Sequence, residues 1–362
     1  MSARPVMIMA GGTGGHVYPA LAVAKALEAN SQDVFWLGTR RGLEGRVVPA
    51  NDIDIEWVSI KGLRQKGVVA LIVAPLQLAW ALLQSLNTIR RRRPAVVLGM
   101  GGFVSGPGGL AAWLTRRPLV IHEQNATSGL TNRLLARFAR VVLQAFPGSF
   151  NAEVNAETVG NPVRPDIAAL APPAERCRDR AGPLRLLVLG GSQGALALNQ
   201  LVPAALARLP AERRPKVRHQ CGERTRATAE AAYRDSDIDV ELVEFIEDMA
   251  SAYAWADAVV CRAGALTVAE IAAAGLPAVF VPFPAAVDDH QTANAQGLTE
   301  AGAAITVQER DIDDVALARL LEEFLTSRDD LLERAERARS LAVPDSLATI
   351  TDRCLELARV RT

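Results

Sequence analysis

The sequence predicts an α/β protein built from two Rossmann-like, doubly wound parallel-sheet domains that face a cleft. Three observations lead there. Apolar, β-branched runs alternate with helical patterns along almost the whole chain, as in a parallel sheet covered on both faces. A strand, a glycine turn and a helix open the chain at Val6–Leu27, and a physically similar opening recurs at Leu184–Leu206. With 362 residues the chain is long enough for two ordinary cores.

Composition narrows the class. Apolar residues make up 49% and charged residues 22%, as in a soluble globular protein. Forty basic residues balance forty acidic ones, so no global charge selects nucleic acid as a partner. Cys177, Cys221, Cys261 and Cys354 stand far apart with no CxxC pair, which argues against a zinc site or disulfide framework and for a reducing compartment. The N-terminus lacks the basic-then-apolar pattern of a secretory signal, so a cytoplasmic location is expected.

In chain order, the strand Val6–Met9 leads into Ala10–Pro19, A-G-G-T-G-G-H-V-Y-P. Gly11, Gly12, Gly14 and Gly15 carry no Cβ to keep an anion from the backbone N–H groups and the helix end. Pro19 fits the first helical turn, where a missing N–H is harmless. His16 is the only side chain in this loop that exchanges a proton near neutral pH. The loop is either an anion cradle holding a base or a tight turn with a structural histidine. A helix over Ala20–Leu27 and strands at Val34–Leu37 and Ile55–Ile60 follow.

Val68–Leu83 is apolar except for Gln77, is interrupted by Pro75, and runs on to Arg90–Arg93. It is short for a membrane span. Leu76, Trp80 and Leu83 share one helical face, so Val68–Arg93 is expected to be a partly buried helix whose exposed lip meets an anionic membrane surface. Strands at Ala95–Leu98, Leu119–Ile121 and Val141–Leu143 complete the first domain. Between them, Gly99–Gly109 (G-M-G-G-F-V-S-G-P-G-G) is taken as a second anion loop, and His122-Glu123-Gln124-Asn125 as a strand end facing a polar ligand.

Turn chemistry at Gly160–Pro165 and an Ala/Pro/charge-rich stretch, Ala168–Gly182, place the domain linker there. Leu184–Leu189 then enters the turn Gly190-Gly191-Ser192-Gln193-Gly194-Ala195 and a helix over Leu196–Leu206. Further strands fall at Val217–Gln220, Val240–Val243, Ala258–Cys261 and Ala278–Val281, and helices at Ala265–Ala274 and Asp289–Ala301. The remainder is helical, ending in Ala348–Val360. Ligands in such sheets sit at the carboxyl ends of the strands, where both glycine turns lie.

A dinucleotide site fits poorly. Val17 stands where the last glycine of GxGxxG would be, and Gly38-Thr39-Arg40-Arg41 lacks the ribose-binding acid; only Arg40 and Arg41 keep NADP in play. Arg262–Glu270 carries a strand into a helix whose start suits a phosphate, with Glu270 placed for ribose hydroxyls or simply for the helix dipole. Asp-Ile-Asp triplets at 52–54, 237–239 and 311–313 lie at polar entries to regular elements, where aspartate is ordinary. No metal site and no cofactor are expected.

In this order, G-G-T-G-G-H-V-Y-P, G-M-G-G-F-V-S-G-P-G-G, H-E-Q-N, G-N-P-V-R, G-G-S-Q-G-A, R-A-G-A-L-T-V-A-E-I and D-D-H-Q-T-A-N-A closely resemble the MurG family of glycosyltransferases, over essentially the whole chain. The resemblance implies a GT-B fold with an acceptor- and membrane-associating domain over 1–163, a UDP-sugar domain over 164–340, and a segment 341–362 whose helix packs back on the first domain. It implies an inverting transfer of N-acetylglucosamine from UDP-N-acetylglucosamine to the 4-hydroxyl of undecaprenyl-pyrophosphoryl-N-acetylmuramoyl-pentapeptide, by a peripheral protein at the cytoplasmic face of the plasma membrane. Carried over residue by residue, Thr13, Gly14, Gly15 and Asn125 would meet the donor sugar, Arg164 would lie near the donor, and Ser192 would bind its pyrophosphate. Ile246 would meet uracil through its backbone. Ala265, Leu266, Thr267, Val268, Ala269 and Glu270 would take phosphate and ribose, with Gln291 by the sugar. The glycine loops of the first half would receive the acceptor's pyrophosphate. His16, kept neutral by its helix N-terminus, is then the expected general base. Phe103 departs from the family pattern, since some relatives carry Tyr there.

Overall fold

Val6–Met9 is four apolar residues, all fully buried, and it forms the interior strand β1 of the first sheet. The computed structural model describes residues 4–60, 68–191, 194–234, 236–286 and 289–359. After β1 come α1 (Gly14–Ala29), β2 (Val34–Gly38), α2 (Glu44–Val47), β3 (Ile55–Trp57), α3 (Val68–Arg92), β4 (Val96–Gly99), α4 (Ser105–Leu114), β5 (Leu119–Glu123), α5 (Leu130–Leu135), β6 (Val141–Gln144) and β7 (Ala156–Thr158). All neighbouring strands pair in parallel, in the order β3-β2-β1-β4-β5-β6-β7.

The second sheet repeats the plan. Short helices α6 (Pro165–Ala168) and α7 (Pro173–Cys177) precede β8 (Arg185–Leu189), α8 (Leu196–Arg208), β9 (Lys216–Gln220), α9 (Arg226–Tyr233), β10 (Val240–Val243), α10 (Met249–Trp255), β11 (Ala258–Cys261), α11 (Ala265–Ala274), β12 (Ala278–Phe280), α12 (His290–Glu300), β13 (Ala304–Thr306), α13 (Asp314–Phe324) and α14 (Arg328–Ser340). Strand order is β10-β9-β8-β11-β12-β13, again all parallel. In both sheets the order reverses beside the first strand, so each glycine turn opens at a topological switch point. The sequence expectation of two doubly wound α/β sheets describes this architecture.

Contacts divide the chain into Met1–Val163 with Asp345–Thr362, and Arg164–Pro344. The last helix, α15 (Ser346–Arg359), belongs to the first unit. Its buried Ile350, Cys354, Leu355 and Ala358 join Val17, Leu21 and Ala24 of α1 on one face of the sheet, with Val6, Ile8 and Trp36 beneath them. Ser346 Oγ donates to the Asn161 carbonyl at 2.6 Å, fixing where the helix starts. Met7, Met9, Phe35 and Leu37 point to the opposite face, as strand alternation requires, and pack with Ala111 and Ala112 of α4 and Ile89 of α3.

Several local expectations are corrected. The stretch 168–182 is not a linker: Arg180 pairs with buried Asp257, and Arg176 donates to the Gly275 carbonyl, so it packs within the second unit. Helix α1 starts well before Ala20, because the N–H groups of His16 and Val17 both reach the Thr13 carbonyl, and this leaves Pro19 inside the helix. Helix α3 likewise runs through Pro75. Half of the run Gly99–Gly109 is helix α4, not a loop. A Cβ on Gly108 would collide with Met9 Sδ, and one on Gly109 would come within 2.7 Å of Leu135, so these glycines allow close helix packing. Strands β7 and β13 escape the apolar-run criterion because a three-residue edge strand needs only one partner.

Helix α3 buries Ala74, Ala81, Ser85, Thr88 and Ile89, and presents Leu76, Trp80 and Leu83 outward at 73%, 57% and 57% exposure. At its end Arg91 pairs with Glu56, and Arg92 with Asp54 at 2.6 Å and Glu56 at 3.3 Å. Among the described residues no helix is long and apolar enough to cross a membrane.

The second core holds a closed polar chain. Asn199 Nδ2 donates to the Cys221 carbonyl, which turns its Oδ1 toward His219 Nε2 at 3.0 Å, while Tyr233 OH meets His219 Nδ1 at 2.9 Å. His219 is therefore neutral with its proton on Nε2. Burial lowers its pKa from 6.5 to about 4. The unfolded chain takes up the proton first as pH falls, so this contribution is whole above pH 6.5 and disappears toward pH 4, a loss of about 3 kcal/mol. Urea unfolding at pH 7 and pH 4.5 should show the second unit weakening in wild type and a shallower pH dependence in His219→Gln. Identical slopes in the two proteins would assign the acid sensitivity elsewhere.

Candidate functional site

His16 follows β1 and is met by residues just after β4 and β5, Gly101 and Gln124. Thr13 is the N-cap residue of α1, Gly14 and Gly15 form its first turn, and no side chain caps it. The loop ahead of it is clamped from below. Trp36 Nε1 donates to the Ala10 carbonyl at 2.9 Å, and buried Glu44 accepts the Gly12 N–H at 3.0 Å. The same carboxylate accepts Thr39 N–H at 3.1 Å and Thr39 Oγ1 at 2.6 Å. Gly12 therefore already has an anion, supplied by the chain itself.

The run Gly99–Gly109 packs against this loop. Gly101 and Gly102 have φ of +91° and +84°. A Cβ at Gly102 would strike the Gly11 carbonyl, and one at Gly101 would lie 2.6 Å from His16 Nδ1. Met100 N–H donates to the Met9 carbonyl at 2.8 Å, and Ser105 Oγ to the Gly101 carbonyl at 2.8 Å. The imidazole is half-buried against this glycine backbone, with Nδ1 3.0 Å from Gln124 Oε1.

The run His122–Asn125 does not face a ligand as a whole. His122 is fully buried, its Nε2–H donates to the Gly160 carbonyl at 2.9 Å, and burial lowers its pKa to about 4. Glu123 holds its own loop, accepting from Asn125 N and Nδ2, Gly129 N and Asn132 Nδ2. Gln124 bridges His16 and the Met100 carbonyl. Asn125 alone of the four is half-exposed, directly after β5.

In the second unit, Arg164, Tyr253 and Glu270 come together. Glu270 is buried in the second turn of α11, with Oε1 receiving Arg164 Nε at 3.3 Å and Nη2 at 3.2 Å, and Oε2 receiving Tyr253 OH at 3.0 Å. Burial pushes its carboxyl above the ordinary range, and Arg164 and Tyr253 oppose that rise. Helix α11 starts at Ala265 behind the N-cap Gly264 without a side-chain cap, so Leu266 and Thr267 lie in a first turn oriented to meet an anion, followed by Val268 and Ala269. Ile246 is half-buried in the loop after β10. Gln291, in the first turn of α12, accepts the Phe283 N–H at 2.9 Å. Ser192 lies outside the described residues, as do Gln193, Asp288 and Val360. The turn that carries Ser192 is held by buried Gln220, whose Oε1 accepts Gly191 N–H and whose Nε2 donates to the Gly191 carbonyl.

Sequence reasoning missed Glu44, Gln220 and Tyr253 as supports of these sites, since none stands in a recognisable motif. Gln124 was within view, in H-E-Q-N, but nothing in the spacing singled it out. Replacing Glu44 by Ala strands the donors of Gly12 and Thr39, and should lower the stability of the first unit by about 2 to 4 kcal/mol in urea titrations. A change below about 0.5 kcal/mol would mean that the loop does not depend on this carboxylate.

Comparison with known proteins gives a consistent picture. The glycosyltransferase family 28 N-terminal domain matches residues 6–144, and the family 28 C-terminal domain matches residues 185–350. A protein of Alkalilimnicola ehrlichii named UDP-N-acetylglucosamine--N-acetylmuramyl-(pentapeptide) pyrophosphoryl-undecaprenol N-acetylglucosamine transferase is 56% identical over 98% of this chain and 99% of its own. A protein of the same name from Marinobacter nauticus is 52% identical over 98% of each. The crystal structure of Acinetobacter baumannii MurG superposes with a TM-score of 0.85 at 41% identity, covering 98% of this chain and 99% of that one.

Proposed function

The chain belongs to glycosyltransferase family 28, and from that premise we propose that it transfers N-acetylglucosamine from UDP-N-acetylglucosamine to the 4-hydroxyl of undecaprenyl-pyrophosphoryl-N-acetylmuramoyl-pentapeptide, with inversion. The observation that carries the chemical part of this reading is His16, an imidazole held by Gln124 against a glycine backbone at the start of an uncapped helix. An alcohol is too weak an acid to attack unaided, so it needs a base within hydrogen-bond reach. His16 Nε2 takes the hydroxyl proton as the oxygen bonds to the anomeric carbon. The bond from that carbon to the β-phosphate oxygen breaks, and UDP leaves with the electron pair.

The second unit carries the donor in this reading. The α11 N-terminus and the turn bearing Ser192 stabilise the charge growing on UDP, which removes the need for a metal. Glu270 keeps lone pairs for ribose hydroxyls beyond the bonds from Arg164 and Tyr253. Ile246 serves the uracil in this reading, and Gln291, Thr13, Gly14, Gly15 and Asn125 are assigned to the donor sugar. His16→Ala should reduce transfer of labelled N-acetylglucosamine to a lipid-linked muramyl acceptor by about a hundredfold or more, with UDP-N-acetylglucosamine still protecting against thermal unfolding. Near-normal turnover would remove His16 from the chemistry.

A lipid-linked acceptor also has to be met at a membrane, and we assign that contact to α3 at the cytoplasmic surface. Leu76, Trp80 and Leu83 are exposed at helical spacing, and Arg90 and Arg93 have no carboxylate partner among the described residues. Exposed Trp113 on α4 and Phe138, with ring centroids 4.8 Å apart, add apolar surface on the same unit. Trp80→Ser with Leu83→Ser should weaken sedimentation with phosphatidylglycerol-containing vesicles about tenfold while leaving the fold intact. Unchanged sedimentation would place the contact off this helix.

A further inference from the structure

Gln124 is almost completely buried, 1% exposed, and both ends of its amide are committed. Its Nε2 donates to the Met100 carbonyl at 2.9 Å, and its Oε1 lies 3.0 Å from His16 Nδ1. Its own carbonyl receives Asn161 Nδ2 at 3.0 Å, which fixes the backbone it hangs from. We propose that Gln124 is a positioning residue for the transfer reaction: it holds His16 in the tautomer with the proton on Nδ1, leaving the Nε2 lone pair to act as base. This inference rests on the reading of His16 given above.

The orientation of the amide follows from its surroundings. Turned over, it would set Oε1 against the Met100 carbonyl, two acceptors with no proton between them. With Nε2 committed to Met100, the group facing His16 is a carbonyl oxygen, which can only accept. A neutral imidazole satisfies it only by donating from Nδ1, so Nε2 is left unprotonated. The free side chain favours the opposite tautomer, so the selection has to come from the site. Geometry reinforces it, because Gly101 is the residue packed on Nδ1 and a Cβ there would lie 2.6 Å away. The Met100 carbonyl belongs to the same glycine run, so the loop that seats the ring also anchors the amide that orients it.

The test is the protonation pattern of the ring, read by long-range ¹H–¹⁵N NMR of the histidine nitrogens, with His16→Ala identifying the signal. Wild type should show Nδ1–H for His16. Gln124→Met, close in volume but without an acceptor, should move the signal toward Nε2–H and lower kcat about tenfold or more with KM for UDP-N-acetylglucosamine unchanged. Gln124→Glu keeps an acceptor facing Nδ1 and should restore the Nδ1–H pattern even though its tie to Met100 is lost. In the His16→Ala background, Gln124→Met should cause no further loss of rate. A folded Gln124→Met protein that keeps Nδ1–H, or a rate loss that persists in full without His16, overturns the proposal. If Gln124→Met does not fold, the Gln124→Glu spectrum decides, and Nε2–H there overturns it too. Failure of the underlying reading is a separate outcome: His16→Ala would turn over normally whatever the tautomer.

Discussion

Gly101 and Gly102 leave no room for a Cβ against the first glycine loop and His16, and the arrangement around that histidine depends on this constraint. Gly102 backs onto the Gly11 peptide and Gly101 onto the His16 ring, each with φ in the region that side chains rarely adopt. With the loops in contact, Gln124 reaches both the Met100 carbonyl and His16 Nδ1. The glycines thus act first on the histidine. Any approach by a phosphate is a second use of the same missing Cβ atoms.

The two units solve the same structural problem with different side chains. Each glycine turn leaves backbone donors at the carboxyl end of the first strand, and in each a buried group from near the neighbouring strand end satisfies one of them. Glu44 does so for Gly12 and Gln220 for Gly191. A buried carboxylate is acceptable at the first turn because three donors, Gly12 N–H, Thr39 N–H and Thr39 Oγ1, take the place of the water it loses. At the second turn the supporting group is a neutral amide, which both accepts from and donates to Gly191.

Helix α3 shows how one element serves core and surface together. Small and hydroxylated residues, Ala74, Ala81, Ser85 and Thr88, let it lie close on the sheet, and Ser85 returns its hydroxyl to the Ala81 carbonyl at 2.7 Å. Its large apolar residues are left on the outer face, where burial in the protein is unavailable to them. The arginines at its end divide between holding β3, through Asp54 and Glu56, and facing solvent.

By itself the sequence determined the fold class, the positions of the interior strands and the two glycine turns at strand ends, because buried parallel strands must be continuous apolar runs and the turns follow them directly. It also marked His16 and Glu270 by residue type and place in the pattern, and Arg164 through the resemblance to a known family. The division of H-E-Q-N into three supporting side chains and one exposed one was decided only in three dimensions, since neighbouring polar residues on a strand end look alike until their partners are known. The same holds for Glu44, Gln220 and Tyr253, whose partners lie 17 to 32 residues away in the chain. Gly108 and Gly109, alike in sequence to loop glycines, became helix residues because Met9 and Leu135 occupy the space a Cβ would need. Period and residue type are local properties, whereas the satisfaction of a buried hydrogen bond belongs to a pair, and the second member of each pair was supplied by the folded chain.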